Sequence, residues 1–114
     1  KAGVEPLALY RALRQGATGR KRTFDRLPEH FLPGVYDPPA FTVRLAHKDM
    51  TLALELAAEA RVPMKVGSIA LAELEEAMQR GWSERDCRVA MTLQEERAGV
   101  SVRVARERLE NLPD

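Results

Sequence analysis

Lys48 and Asp49 are the side chains best placed to do chemistry, because they are charges within an otherwise apolar helical stretch. On a wheel of about 100° per residue, residues 41–60 show two apolar sides. One side carries Val43, Ala46, Met50, Ala53, Leu54 and Ala57, and the other carries Phe41, Leu45, Lys48, Leu52 and Leu56. A helix with two apolar sides is expected to be central, with neighbours on both. This pattern predicts that Lys48 lies among leucines and that Asp49 lies between the two sides.

A lysine in such surroundings has two interpretations. In the structural one, the aliphatic stem of Lys48 lets its charge reach water, or the charge joins an ion pair. In the functional one, the charge persists because a ligand needs it, since perturbed titratable groups cluster at functional sites. The wheel alone favours the structural interpretation.

The other reactive side chains predict neither a metal site nor a nucleophile. His30 and His47 have no Cys, Asp or Glu at metal-ligand spacing. Cys87 is expected to be a small buried residue of a helix. The sequence contains no P-loop, no Gly-x-Gly-x-x-Gly motif and no nucleophile elbow. We therefore predict no metal.

Basic side chains are concentrated in residues 11–26, where six stand against one acidic residue, Asp25. They are Arg11, Arg14, Arg20, Lys21, Arg22 and Arg26. A nucleic-acid surface is one interpretation. A solvated surface or a contact for a partner domain is favoured, because the formal net charge of the chain is only +1. We expect no nucleic-acid partner and no membrane, since no apolar run approaches the roughly 18 residues of a span.

The length of 114 residues indicates one domain with a small core. The single cysteine, Cys87, excludes an intrachain disulfide and fits a reducing compartment such as the cytoplasm. The chain begins at Lys1 without Met, and no signal peptide is visible. We therefore expect a piece of a longer protein.

Helices must position these residues, because Ala, Leu, Glu and Arg dominate the composition and no stretch alternates like a strand. Capping and breaking signals predict helices over residues 6–15, 42–60 and 66–80, a further helix ending at residue 97 and a last one from about residue 101. A short helix is also possible near residues 23–26. The proline-rich residues 27–40 are expected to form a loop with a helical turn near residues 29–31. Ser83 and Asp86 have the form of a capping box, and Ser101 can cap the last helix. The expected fold is all-α, with five or six helices.

The stretch from Phe41 to Leu54, FTVRLAHKDMTLAL, resembles a motif of the β-hydroxyacid dehydrogenases. Members such as 3-hydroxyisobutyrate dehydrogenase, tartronate semialdehyde reductase and glyoxylate/succinic semialdehyde reductase carry a Phe, then Lys-Asp-Leu/Met, then Leu-Ala at this spacing. Residues 60–64 are similar to the family's Ala-Gly-Val-Pro turn, with Arg61 in place of Gly. Residues 2–4 and 81–86 are also similar to family segments. The resemblance covers the chain to about Gly99 and is to the C-terminal helical domain, of the 6-phosphogluconate dehydrogenase-like type.

The resemblance implies a parent enzyme whose N-terminal Rossmann domain binds NAD or NADP. The catalytic lysine and the interdomain helix would lie upstream of Lys1, so this chain would hold no catalytic residue, bind no cofactor alone and be inactive. Lys48 would contact the cofactor near the nicotinamide, and Phe41 and Asp49 would line the substrate cleft. The substrate would be a small β-hydroxyacid or its semialdehyde. The implied partners are the Rossmann domain and, because the interdomain helix would otherwise cover apolar surface, a second copy in a homodimer. With this resemblance, the functional interpretation of Lys48 is favoured.

Two other functions remain open at this stage. The first is a helical interaction or oligomerisation domain with no catalytic inheritance. The second is a small nucleic-acid-binding domain that uses residues 11–26, whose affinity would fall steeply with salt.

Overall fold

A computed structural model describes residues 3–16 and 26–110 of the chain. Five α-helices lie in these ranges: α1 (Pro6–Gln15), α2 (Val43–Glu59), α3 (Lys65–Gln79), α4 (Met91–Ala98) and α5 (Arg106–Leu109). One π-helical turn, Leu27–Phe31, precedes α2, and one 3-10 turn, Cys87–Ala90, precedes α4. Within these ranges the only β-type pairing is a single bridge between Thr42 and Asp86. The all-α prediction is confirmed, whereas the possible helix near residues 23–26 falls mostly outside the described residues.

Helices α2 and α3 form a hairpin whose ends follow from local signals. The Thr42 hydroxyl accepts the N–H of Leu45 at 3.2 Å and caps the start of α2. At the other end, Arg61 is left-handed with φ 53°, and the N–H of Val62 bonds to the Ala57 carbonyl at 2.8 Å. This pattern is the Schellman motif, which usually places glycine at the left-handed position. Arg61 therefore adopts the left-handed conformation that glycine usually takes in this motif, at a cost of about 1 kcal/mol.

The first helix has the predicted bounds. The Glu5 carboxylate caps α1 by accepting the N–H groups of Leu7 and Ala8, at 2.9 and 2.6 Å. The apolar side chains of α1, including Leu9 and Leu13, are exposed. None of the helices in the described ranges is long and apolar enough to cross a membrane.

The core lies where α3, α4 and the 3-10 turn meet the first turn of α2. Its five buried residues are Tyr36, Val43, Ala77, Val89 and Leu93. Around them pack Leu74, Met78, Trp82, Cys87 and Ala90, which are partly buried. Cys87 is thus half-buried in the 3-10 turn, whereas it was expected to be a buried residue of a helix.

The prediction that residues 42–60 form a central helix, buried by neighbours on both apolar sides, is wrong. Only Val43 and Ala57 of α2 are buried, whereas Leu52 and Leu56 are 53% and 58% exposed. The physical reason is that α3 covers one apolar side of α2, with Leu54 packed near Gly67, and no element in the described ranges covers the other side. A wheel shows that two sides are apolar, but it does not show which neighbours belong to the same chain.

Asp86 is fully buried and joins three segments of the chain. Its Oδ2 accepts the N–H groups of Ala40 and Phe41, at 3.0 and 3.3 Å. Its Oδ1 accepts the backbone N–H and the guanidinium of Arg88, at 3.1 and 2.8 Å. His30 Nε2 lies 3.5 Å from Oδ2. The predicted capping box at Ser83 is therefore wrong, because Asp86 itself caps the 3-10 turn and α4 begins only at Met91.

Burial alone would raise the pKa of Asp86. The hydrogen bonds from the side chain and backbone of Arg88 and from the backbone of Ala40 stabilise the ionised form and outweigh that effect. The pKa of this carboxyl is consequently lower than usual.

The C-terminal segment is held by Glu95 and Arg103. The Glu95 carboxylate accepts the Val102 N–H at 2.5 Å and the Arg103 guanidinium at 2.8 Å. The Val104 N–H donates to the Leu32 carbonyl at 2.8 Å, which ties the segment to the π-helical turn. Residues 100–105 are therefore not helical, and the prediction that Ser101 caps the last helix is wrong.

We expect Glu95→Gln to lower the free energy of unfolding by about 1.5–3 kcal/mol, the range for a lost charged hydrogen bond. Glu96→Gln is the matched control, because Glu96 pairs with Arg80 at the surface and its side chain is half exposed. Exposed pairs contribute about 0–1 kcal/mol. Urea unfolding followed by circular dichroism measures both variants, and equal losses would contradict the structural role given to Glu95.

Acid should destabilise the domain through Asp86. The pKa of Asp86 is lower in the folded chain than in the unfolded chain. Its contribution to the free energy of unfolding is therefore complete above the unfolded pKa of about 4, and it is lost as the pH falls from there toward the folded pKa. Melting temperatures measured over this range should fall, and less steeply in Asp86→Asn, which cannot take up that proton. Parallel curves for the two proteins would be evidence against this linkage.

Candidate functional site

Phe41 lies immediately before the cap of α2, and both of its backbone polar groups are bonded. Its N–H donates to Asp86 Oδ2, and its carbonyl accepts the N–H of Cys87 at 2.8 Å. The neighbouring Val43 N–H donates to the Arg85 carbonyl at 2.9 Å. Phe41 itself remains 38% exposed. Its backbone is therefore fixed while the residue stays accessible.

Lys48 lies in the second turn of α2 and is not surrounded by leucines as predicted. Its side chain is 57% exposed, and its Nζ lies 2.8 Å from Oδ1 of Asp49, which is similarly exposed. The expectation that Lys48 lies among leucines is wrong, because the side of α2 that carries it has no cover in the described part of the chain. The exposed ion pair with Asp49 is the arrangement that the structural interpretation allowed. An ion pair between two exposed neighbours contributes little to stability, so the charges remain available to a ligand.

Leu45, Lys48, Leu52 and Leu56 share one side of α2, and Phe41 lies just before the cap of that helix, seven residues from Lys48. We call these five residues the outer row. All of these residues are exposed except Leu45, which is half-buried. The outer row is thus an accessible apolar strip that carries one ammonium group.

Groups with displaced pKa values lie outside the outer row. Burial raises the pKa of Tyr36, whose buried hydroxyl has no hydrogen-bond partner. Burial also raises the pKa of Cys87, which keeps its sulfur a thiol and argues against a nucleophile. Tyr36 and Cys87 belong to the core and its surroundings, and the outer row offers contacts to a ligand.

No group of His, Cys, Asp and Glu in the described ranges could hold a metal ion. His47 lies 3.9 Å from Glu75, and His30 Nδ1 lies 3.1 Å from the Val35 carbonyl while its Nε2 faces Asp86. Both nitrogens of His30 therefore face acceptors within the fold. This histidine is a structural residue rather than a ligand.

The outer row offers two contacts that a ligand such as a dinucleotide cofactor could use. An exposed ammonium can donate hydrogen bonds to amide or hydroxyl oxygens, and an accessible phenyl ring offers an apolar surface. The sequence has no glycine-rich turn to receive the phosphates. The rest of a cofactor would need a partner domain.

Lys48 and Asp49 lie on α2, and Phe41 lies just before its cap; their roles in a cofactor and substrate cleft stay predictions. The contact between Asp86 and Phe41 was not predicted from the sequence. The available signal was an acidic residue after the turn at residues 81–85, but its contact with residues 40 and 41 spans more than forty positions. No local pattern encodes that contact.

A family model described as the NAD-binding region of NADP-dependent 3-hydroxyisobutyrate dehydrogenase matches residues 1–94. The match covers α1, the hairpin of α2 and α3, the outer row and Asp86. No curated protein matches the chain significantly. Because the family model accounts for most of the sequence and includes the motif around Lys48, the chain belongs to the β-hydroxyacid dehydrogenase family.

Proposed function

We propose that this chain is the helical cleft domain of an NAD(P)-dependent oxidoreductase acting on a small β-hydroxyacid or its semialdehyde. The observation that carries the proposal is the outer row, where Phe41 and Lys48 are exposed together inside the segment that matches the family. An exposed strip with one fixed charge suits a surface that closes over a ligand. The Rossmann domain of the same protein would form the opposite wall.

In this arrangement Lys48 donates a hydrogen bond beside the nicotinamide, and Phe41 excludes water from the cleft. Asp49, 2.8 Å from the ammonium, limits the positions that Lys48 can take. The bound cofactor supplies the acceptor for the hydride that leaves the hydroxyl-bearing carbon. A lysine upstream of Lys1 accepts the hydroxyl proton during oxidation, and donates it in the reverse direction, by general acid/base catalysis. The chain alone therefore binds no cofactor and is inactive.

The partners in this proposal are the Rossmann domain and a second copy of the protein in a homodimer. Each would cover apolar surface that is exposed here, on the outer row and on α1. The proposed compartment is the cytoplasm, which the unpaired Cys87 fits.

The second candidate function is a helical interaction or oligomerisation domain without catalytic inheritance. The exposed leucines of the outer row favour it, since an apolar strip alone needs only a partner. The two functions differ at Lys48. An apolar interaction surface does not need the exposed ammonium of Lys48, whereas a cofactor cleft uses it.

Lys48→Met tests the cofactor role, because methionine keeps an unbranched apolar stem and removes the charge. In the full-length protein we expect kcat/KM to fall at least tenfold, corresponding to about 1.5 kcal/mol or more for a charged hydrogen bond. The melting temperature should hardly change, since the ion pair is exposed. Steady-state kinetics and thermal unfolding measured on the same samples check both expectations.

Lys65→Met is the matched control. Lys65 is exposed at the start of α3, and the eleven residues from Lys48 to the end of α2 separate the two by roughly 16 Å along the helix. This control should leave kcat/KM unchanged. Unchanged kinetics in Lys48→Met, or equal losses in both variants, would remove the assignment of Lys48.

The exposed outer row should make residues 1–114 self-associate when no partner domain is present. We expect sedimentation to show dimers that Leu56→Glu dissociates, because the change puts an unpaired charge in the apolar contact. Val66→Glu is the control, since Val66 is an exposed apolar residue on α3 rather than on the outer row. A purely monomeric chain at high concentration would count against the proposed association.

A further inference from the structure

The position of Phe41 depends on contacts far away in the sequence. The residues before it, from 32 to 40, form no regular element and include three prolines. The hydrogen bonds that hold residues 36–41 come from residues 85–87, whereas residues 34 and 35 bond to residues 30 and 31. Asp86 accepts the N–H groups of Ala40 and Phe41, and the N–H of Asp86 itself donates to the Tyr36 carbonyl at 2.9 Å.

The geometry points to a positioning role for Asp86: its carboxylate fixes the backbone of Phe41 so that the ring is held toward the cleft. This inference rests on the proposed function, because it takes the outer row as the cleft wall. It adds a residue that lies behind that wall, is fully buried and touches no ligand.

A carboxylate is required because four hydrogen bonds converge on two oxygens. Oδ2 serves Ala40 and Phe41, while Oδ1 serves the backbone and the guanidinium of Arg88. An ionised carboxylate offers about four acceptor sites, whereas an amide has one oxygen and turns an NH2 group toward the other donors. Asparagine would therefore lose either the contacts to Phe41 or those to Arg88.

The arrangement also separates the fixed backbone from the accessible residue. The N–H and carbonyl of Phe41 are both bonded to residues 86 and 87, while the residue keeps 38% of its surface exposed. A site built on a rigid support holds a wall residue more accurately than a free loop does. Loosening the support should therefore lower activity through Phe41 and not through the cofactor contact at Lys48.

The first experiment measures amide hydrogen exchange in residues 1–114. Two variants, Asp86→Asn and Asp86→Ser, are compared with the unchanged chain. Serine can still cap the 3-10 turn, but its hydroxyl is one bond shorter than the carboxylate that reaches Ala40 and Phe41. We expect the amides of Ala40 and Phe41 to exchange at least tenfold faster relative to that of Ala77 in α3. Equal acceleration at Ala77 would mean only global destabilisation and would overturn the inference, as would failure of both variants to fold.

The second experiment is a double-mutant cycle on kcat/KM in the full-length protein. Phe41→Ala and Asp86→Ser should each lower kcat/KM about tenfold or more. The kcat/KM of the double variant should lie within about threefold of that of Phe41→Ala alone, because the effects of coupled residues are not additive. Glu95→Gln is the control, since it loosens the C-terminal segment and should leave kcat/KM unchanged below its melting temperature.

The outcomes separate the two ideas. If Phe41→Ala leaves kcat/KM unchanged, the proposed cleft wall is wrong and the positioning role falls with it. If Phe41→Ala lowers kcat/KM but the fold losses of the two single variants multiply in the double variant, the cleft wall stands and Asp86 does not act through Phe41.

Discussion

The fully buried carboxylate of Asp86 joins the loop before α2 to the turn before α4. Asp86 has no exposed surface, yet it accepts bonds from the loop before α2 and from the turn before α4, and His30 of the π-helical turn lies against it. A buried charge is tolerated only when donors replace its water. The same donors lower the pKa of Asp86, so the ionised form and the folded arrangement stabilise each other. The start of α2, and with it the outer row, takes its position from this charge.

The parts of the fold that sequence predicts are those with local causes. The bounds of α1, α2 and α3 agree with the predicted ranges to within one residue, because Glu5, Thr42 and Gly81 act within one helical turn. The caps and helix starts after residue 80 were predicted less well. Asp86 and Glu95 bond to residues seven to forty-six positions away, and such contacts override the capping signals of Ser83 and Ser101.

The error about Lys48 has a different origin. The wheel correctly identified two apolar sides of α2, and burial of both was inferred from amphipathicity alone. In the structure one side faces α3, and the outer row faces away from the described part of the chain. Apolar periodicity measures what a helix can bury, whereas burial depends on which partners are present. Lys48 is therefore consistent with its surroundings in two ways: it is solvated here, and it becomes the one donor in an apolar strip once a partner covers that strip.

This division of α2 separates the requirements for folding from those for function. The side facing α3 contributes Leu54 and Ala57 to packing, so changes there create cavities and lower stability. The outer row contributes almost nothing to the core, so its residues can be chosen for a ligand or a partner at little cost to the fold. Leu52 and Leu56 expose apolar surface that a solvated helix would not need, and an apolar surface retained without a core role indicates something that covers it. Phe41 is the exception, because its backbone belongs to the folded support while its exposed surface belongs to the outer row. Changes that weaken the 3.3 Å hydrogen bond between the Phe41 N–H and Asp86 are therefore expected to affect stability and function together.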